Sequence, residues 1–190
     1  MHRQEIYNQE NIDESEDFNL KNTEYKTLYK SDSCCRFGCM GKDTEIFSAD
    51  GMTKKADRVS IGDKLISRGG KTVVVQNIMT GLERQMLSIS TQSGSVLLTG
   101  DHIVATTDGS RTAGNIRPGD MLWSLNLGSL QEEPVRVERV EWVMYDDKVY
   151  NFECEEAAFV VGNGLFIGDF TLQRTESMMK SPLSDKEADV

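Results

Sequence analysis

The sequence predicts an all-β domain flanked by two polar segments. Three observations carry this: short runs of alternating or β-branched residues, a high density of turn dipeptides, and an internal repeat. Residues 45–47 lead into the Asp50-Gly51 turn, and residues 64–67 into Gly69-Gly70. Runs follow at 72–78, 85–91, 96–99 and 103–107. After Asp108-Gly109 the same style resumes at 121–125, 135–145, 149–154, 158–161 and 165–167. Helical periodicity is almost absent from this region, and the turn residues bound strands of ordinary length.

The repeat sharpens the prediction. Ala56-x-x-Val59-x-x-Gly62-Asp63-x-Leu65-x-Ser67 recurs as Ala113-x-x-Ile116-x-x-Gly119-Asp120-x-Leu122-x-Ser124. Each copy follows an Asp-Gly turn and precedes a Val-containing strand. Taken singly, the Gly-Asp pairs are tight turns. Taken together they imply two copies of one β unit and a domain with pseudo-two-fold symmetry.

The flanks differ in composition. Residues 1–38 form an acidic leader rich in Asn and Gln, expected to stay mobile because such a segment cannot bury enough apolar surface to offset its ordering entropy. Residues 170–190 are again polar and are expected to be a mobile tail, which leaves residues 39–169 as the folded domain. The chain of 190 residues is long enough for a core that needs neither disulfides nor metal.

Net charge of −10 argues against a nucleic-acid partner, since phosphate contacts need clustered Lys and Arg. No apolar run approaches the roughly 20 residues of a membrane helix, and no apolar stretch follows Met1 as a secretory signal would require. The expectation is an intracellular, cytoplasmic monomer with reduced thiols and no membrane partner. Cys34, Cys35 and Cys39 lack CxxC spacing and a nearby histidine, so no metal or other cofactor is expected.

The chemistry centres on Gly38-Cys39. A thiol stands at the first residue of the folded region, next to a glycine whose carbonyl no side chain shields. The free φ of glycine would also tolerate a strained peptide. The folded region has one histidine, His102, in the turn Leu98-Thr99-Gly100-Asp101-His102-Ile103-Val104. A lone histidine is more often structural, but Thr99 and His102 across one turn can aim a hydroxyl and an imidazole at one point. A thiol and an imidazole suffice for an acyl shift. Cys39 attacks the Gly38 carbonyl, His102 protonates the departing amine, and the Thr99–His102 turn supplies oxyanion donors. Cys154, in a predicted strand, is either a buried apolar residue or a second thiol that accepts the acyl group.

These motifs resemble a Hint domain, the self-processing module of inteins, Hedgehog C-terminal regions and bacterial intein-like proteins. The resemblance rests on Cys39-Met40-Gly41-Lys42-Asp43-Thr44-Glu45-Ile46, on Thr99-Gly100-Asp101-His102, and on Val149-Tyr150-Asn151-Phe152-Glu153 with Phe159-Val160-Val161-Gly162-Asn163-Gly164-Leu165-Phe166-Ile167. It implies a β horseshoe of two related halves whose ends meet at the site. It also implies Cys39 as nucleophile, His102 as general acid/base, Thr99 as an oxyanion or positioning residue, and Asp101 in support. The substrate would be the chain's own N-terminal segment, with water, a thiol or an amine as acyl acceptor.

The chain departs from the family pattern at its C-terminal end. Where inteins usually carry His-Asn and then Cys, Ser or Thr, it has Gly168, Asp169 and Phe170. Asp169 thus occupies a degenerate C-terminal position, and full splicing is not expected. The Asp often found after Val-Tyr is Asn151. The expectation is a single-turnover N-terminal cleavage or acyl transfer at Gly38–Cys39. The alternatives are a degenerate, non-cleaving Hint fold serving as a scaffold or binding module, and a thiol peptidase acting on other proteins.

Overall fold

The computed structural model describes residues 38–180. The leader ahead of Gly38, with Cys34 and Cys35, and residues 181–190 lie outside the described residues. The strands are β1 (Met40–Gly41), β2 (Glu45–Phe47), β3 (Thr53–Lys55), β4 (Lys64–Ile66), β5 (Thr72–Thr91), β6 (Gly94–Leu98), β7 (Ile103–Thr106) and β8 (Gly109–Thr112). They continue with β9 (Met121–Asn126), β10 (Gln131–Cys154), β11 (Phe159–Gly162) and β12 (Leu165–Gly168), and the described chain ends in the helix α1 (Phe170–Lys180). All pairings form one 12-stranded sheet in the order β3-β2-β11-β12-β7-β9-β10-β1-β6-β5-β4, with β8 on β7.

The repeat is real at the level of individual hydrogen bonds. Each copy opens with a short 3-10 helix, Ala56–Arg58 and Ala113–Asn115. Gly62 and Gly119 then take φ of 90° and 99°, the left-handed region that glycine enters without a Cβ penalty. The Asp63 carboxylate accepts from Ser60 N–H at 2.9 Å, and Asp120 from Arg117 N–H at 2.8 Å. Gly62 N–H donates to the Val75 carbonyl and Gly119 N–H to that of Val137, both at 2.8 Å. Ala56, Leu65, Ala113, Ile116 and Leu122 point into one apolar core.

Two corrections concern the elements themselves. Residues 72–78 and 85–91 belong to one strand, β5, and residues 135–145 and 149–154 to another, β10. The two pair along most of their length with shifts near Val137, Met144 and Glu153. Their central stretches, 76–85 and 138–148, contain no buried residue, so no apolar alternation marks them as strand. The polar segment after Asp169 is also not a loose tail over its first part, because α1 occupies it. Phe170 and Gln173 are buried, and Asp169 closes the helix start by accepting Leu172 N–H at 2.8 Å.

The topology explains how both ends of the domain reach one turn. Met40 in β1 pairs with Tyr150 of β10 on one side and Leu98 of β6 on the other, so the chain enters the sheet interior rather than an edge. Ile167 in β12 pairs with Val104 in β7. The 99–102 turn joins β6 to β7, and residues 38–39 and 168–169 therefore flank it. Among the described residues no helix is long and apolar enough to cross a membrane.

Candidate functional site

Buried polar side chains reveal the site. Those among the described residues are serines and threonines except for His102, Asn151, Asp169 and Gln173. These four larger polar side chains all gather where residues 38–39 and 168–169 meet. Burying such groups costs free energy unless each is matched by a partner.

The Gly38–Cys39 peptide is held on both sides. Asn151 Nδ2 donates to the Gly38 carbonyl oxygen at 2.6 Å. Asn151 Oδ1 accepts Phe152 N–H at 2.8 Å, which fixes the amide orientation, since the reverse would set an NH2 group against an N–H donor. Thr99 Oγ1 accepts Cys39 N–H at 2.7 Å, and Thr99 N–H returns a bond to the Cys39 carbonyl at 2.9 Å. Ahead of the peptide, Gln173 Oε1 accepts Gly38 N–H at 2.7 Å.

Gly38 is required by contact rather than by backbone freedom. It does not adopt a positive φ, and no described peptide bond is cis, so the expected strain is not what the glycine serves. A Cβ at this position would instead lie 2.1 Å from His102 Cα and N, closer than any real contact. The backbone of residue 38 rests directly on the histidine.

His102 has no exposed surface, and neither ring nitrogen has a partner in hydrogen-bond geometry. The carbonyls of Gly38 and Gly168 are near enough to favour the imidazolium, but burial outweighs them and lowers the pKa from 6.5 to about 4. The ring is therefore neutral near pH 7, with the Gly38 and Gly168 carbonyls as its polar neighbours. Cys39 is 5% exposed and packs in a small apolar group with Met86 and Val149, lined by Leu97 and Tyr145.

The remaining sequence-predicted residues do other things. Asp101 is exposed at the turn and enters none of these hydrogen bonds. Asp169 is wholly buried, and its carboxylate accepts from Cys154 N–H and Ala158 N–H at 3.0 Å besides capping α1. It is a structural clamp with no lone reactive oxygen, although burial raises its pKa against the pull of these donors. Cys154 sits in the main core, and burial, with Asp169 beside it, pushes its thiol pKa upward. A thiol in these surroundings is disfavoured as a thiolate. Thr99 faces the Cys39 nitrogen, and the contact to the Gly38 oxygen belongs to Asn151.

Sequence reasoning passed over two residues. Asn151 was visible as a departure from the family pattern, and its partner was not. Gln173 carried no signal, because it lies beyond the last motif in a segment without an apolar stripe.

No family model matches the sequence, and no curated protein matches it. Solved structures do. The Ssp DnaB mini-intein variant M86 superposes with a TM-score of 0.62 at 14% identity, over 70% of this chain and 94% of that one. A DnaB intein from Synechocystis gives 0.61 at 12% identity, over 70% and 98%. The bacterial intein-like domain from Clostridium thermocellum gives 0.57 at 20% identity, over 69% and 97%. Similarity of this degree speaks to the backbone, and it agrees with the strand order and repeat described above: the chain carries an all-β, Hint-type domain with the fold of inteins and bacterial intein-like domains.

Proposed function

We propose that this chain cleaves itself at Gly38–Cys39 through an N-to-S acyl shift. The observation that carries this reading is the immobilised peptide. Asn151 holds its oxygen, Thr99 holds its nitrogen, the His102 backbone packs against its glycine, and the Gly38 carbonyl lies beside the neutral imidazole.

The steps follow from these groups. Cys39 Sγ attacks the Gly38 carbonyl carbon, the carbonyl π pair moves onto oxygen, and the thiol proton passes to His102. Asn151 Nδ2 stabilises the oxyanion from its ground-state position. The carbonyl then re-forms and the C–N bond breaks. His102 returns the proton to the Cys39 nitrogen, which leaves as an amine. An imidazolium of low pKa is a strong acid, suited to protonating that poor leaving group, while the same low pKa makes the neutral ring a weak base toward the thiol. Thr99 keeps the nitrogen aligned throughout. Water, a thiol or an amine then attacks the thioester, forming a new bond to the acyl carbon and restoring the Cys39 thiol.

Only this end of the domain supports a cut. The Asp169 carboxylate is committed to three backbone donors, and the residues after it form a helix packed on the domain.

Mass spectrometry of the purified full chain with added hydroxylamine tests the reading. Release of residues 1–38 as a hydroxamate, lost in Cys39→Ala and slowed in His102→Ala, is the expected result. A chain that stays intact for days, and behaves identically as His102→Ala, leaves a non-cleaving scaffold instead.

A further inference from the structure

Gln173 is 2% exposed on a helix outside every motif of the sequence, and both atoms of its amide are used. Oε1 accepts Gly38 N–H at 2.7 Å, across 135 positions of sequence. Nε2 donates to the Gly168 carbonyl at 2.9 Å. The amide cannot be flipped without setting donor against donor and acceptor against acceptor. One side chain therefore ties the start of the domain to the end of β12, and it does so through backbone groups alone.

Helix α1 also has other anchors on the domain. Asp169 caps it, Thr171 Oγ1 donates to the Cys154 carbonyl at 3.1 Å, and Arg174 pairs with Glu153 at 3.6 Å. Ser110 Oγ donates to Glu176 at 2.6 Å. A helix position facing the domain interior is ordinarily filled by an apolar residue, since a buried amide is tolerated only when fully matched. The glutamine is matched by the residue on which the proposed attack occurs.

We propose that Gln173 is a positioning residue for the Gly38–Cys39 peptide, and that the processing unit extends through α1 rather than ending at Asp169. The inference rests on the self-cleavage reading above. Glycine has more backbone freedom than any other residue, so a scissile glycine must be held from outside. Asn151 holds the carbonyl on one side of the Gly38 Cα, and Gln173 holds the N–H on the other. Together they restrain both dihedrals of the residue whose carbonyl carbon is attacked. Neither bond is broken by the acyl shift, so the acyl group stays clamped in the thioester until the acceptor arrives.

The full-length chain provides the test, with Gln173→Met, Gln173→Glu and Arg174→Ala compared by three measurements. These are the rate of hydroxylamine release, the unfolding midpoint, and hydrogen exchange of the Gly38 N–H in a Cys39→Ala background. Methionine fills the space and makes neither bond, so it should slow release by about tenfold to a hundredfold and expose the Gly38 N–H. Glutamate keeps the acceptor, and should preserve the protection and retain more of the rate than methionine. Arg174→Ala removes a helix anchor, and should leave the rate and the protection unchanged. An unchanged rate in Gln173→Met overturns the positioning role while leaving the cleavage reading intact. An equal loss in Arg174→Ala overturns it as well, reducing Gln173 to one more helix anchor. A wild-type chain that never cleaves overturns the cleavage reading and this role with it.

Discussion

The side-chain amide of Asn151 meets the carbonyl oxygen of Gly38 at 2.6 Å across 113 positions of sequence, with both groups buried. In the proposed attack, a donor aimed at the carbonyl strengthens as negative charge develops on it and needs no reorganisation. Asn151→Ala should therefore lower the rate of N-terminal release by about 100- to 1,000-fold, the usual cost of one oxyanion donor. A time course of intact masses with hydroxylamine measures it, and a rate within threefold of wild type would remove Asn151 from the mechanism.

Gly38→Ala tests the contact with His102. The added methyl would fall 2.1 Å from the histidine backbone, and backbone on both sides cannot yield. Release should drop to background, and denaturant unfolding should show a loss of about 1–3 kcal/mol, typical of overpacking.

His102 makes stability depend on pH. Its pKa falls on folding from 6.5 to about 4, so between these values the unfolded chain binds the extra proton. Stability is then full above pH 6.5 and declines as pH falls towards 4, by roughly 3 kcal/mol in all. Asp169 acts in the opposite sense, since its raised pKa favours the folded state as pH falls. Subtracting the pH profile of His102→Gln isolates the histidine. A difference that is flat with pH would show that the ring is not buried in its neutral form.

Asp169 should prove a matter of stability. Asp169→Ala removes a helix cap, at about 0.5–2 kcal/mol, and strands two buried N–H donors at about 1–3 kcal/mol each, so a total of about 2.5–8 kcal/mol is expected in denaturant titrations. Asp169→Asn restores the residue type that ends many inteins. Its oxygen can still accept Ala158 and Leu172 N–H, but its NH2 would oppose Cys154 N–H, so it should destabilise the fold. It should still give no cut after position 169, as the mass of the C-terminal peptide will report, because the chain beyond it remains folded as helix α1.

The repeat predicts matched effects. Gly62→Ala and Gly119→Ala place a Cβ at φ of 90° and 99°, with no neighbouring atom closer than 3.6 Å in either case. Each should cost about 1–2 kcal/mol of stability, through the backbone alone. Unequal losses would mean that the two turns, alike in hydrogen bonding, carry different strain.

Much of this was legible in the residues. Gly62-Asp63 and Gly119-Asp120 announced their turns because the chemistry of a tight turn is local, a positive φ and a carboxylate three residues from its own donor. Cys39 and His102 stood out because few side chains can carry an acyl shift. The ribbon of β5 and β10 did not show itself, because its central residues bury nothing and so alternate in no readable way. Helix α1 did not either, since its hold on the domain is a cap and a few polar contacts rather than an apolar face.

What the sequence determined by itself, then, was the β architecture and its duplication, and it singled out Cys39 and His102 as candidates, all from local pattern or intrinsic reactivity. Which group touches which atom of the Gly38–Cys39 peptide was decided only in three dimensions. Thr99 went to the nitrogen, Asn151 to the oxygen and Gln173 to the preceding N–H, while Asp169 was drawn into the role of helix cap. Hydrogen bonds between residues more than fifty positions apart depend on strand register, and register is a property of the whole sheet.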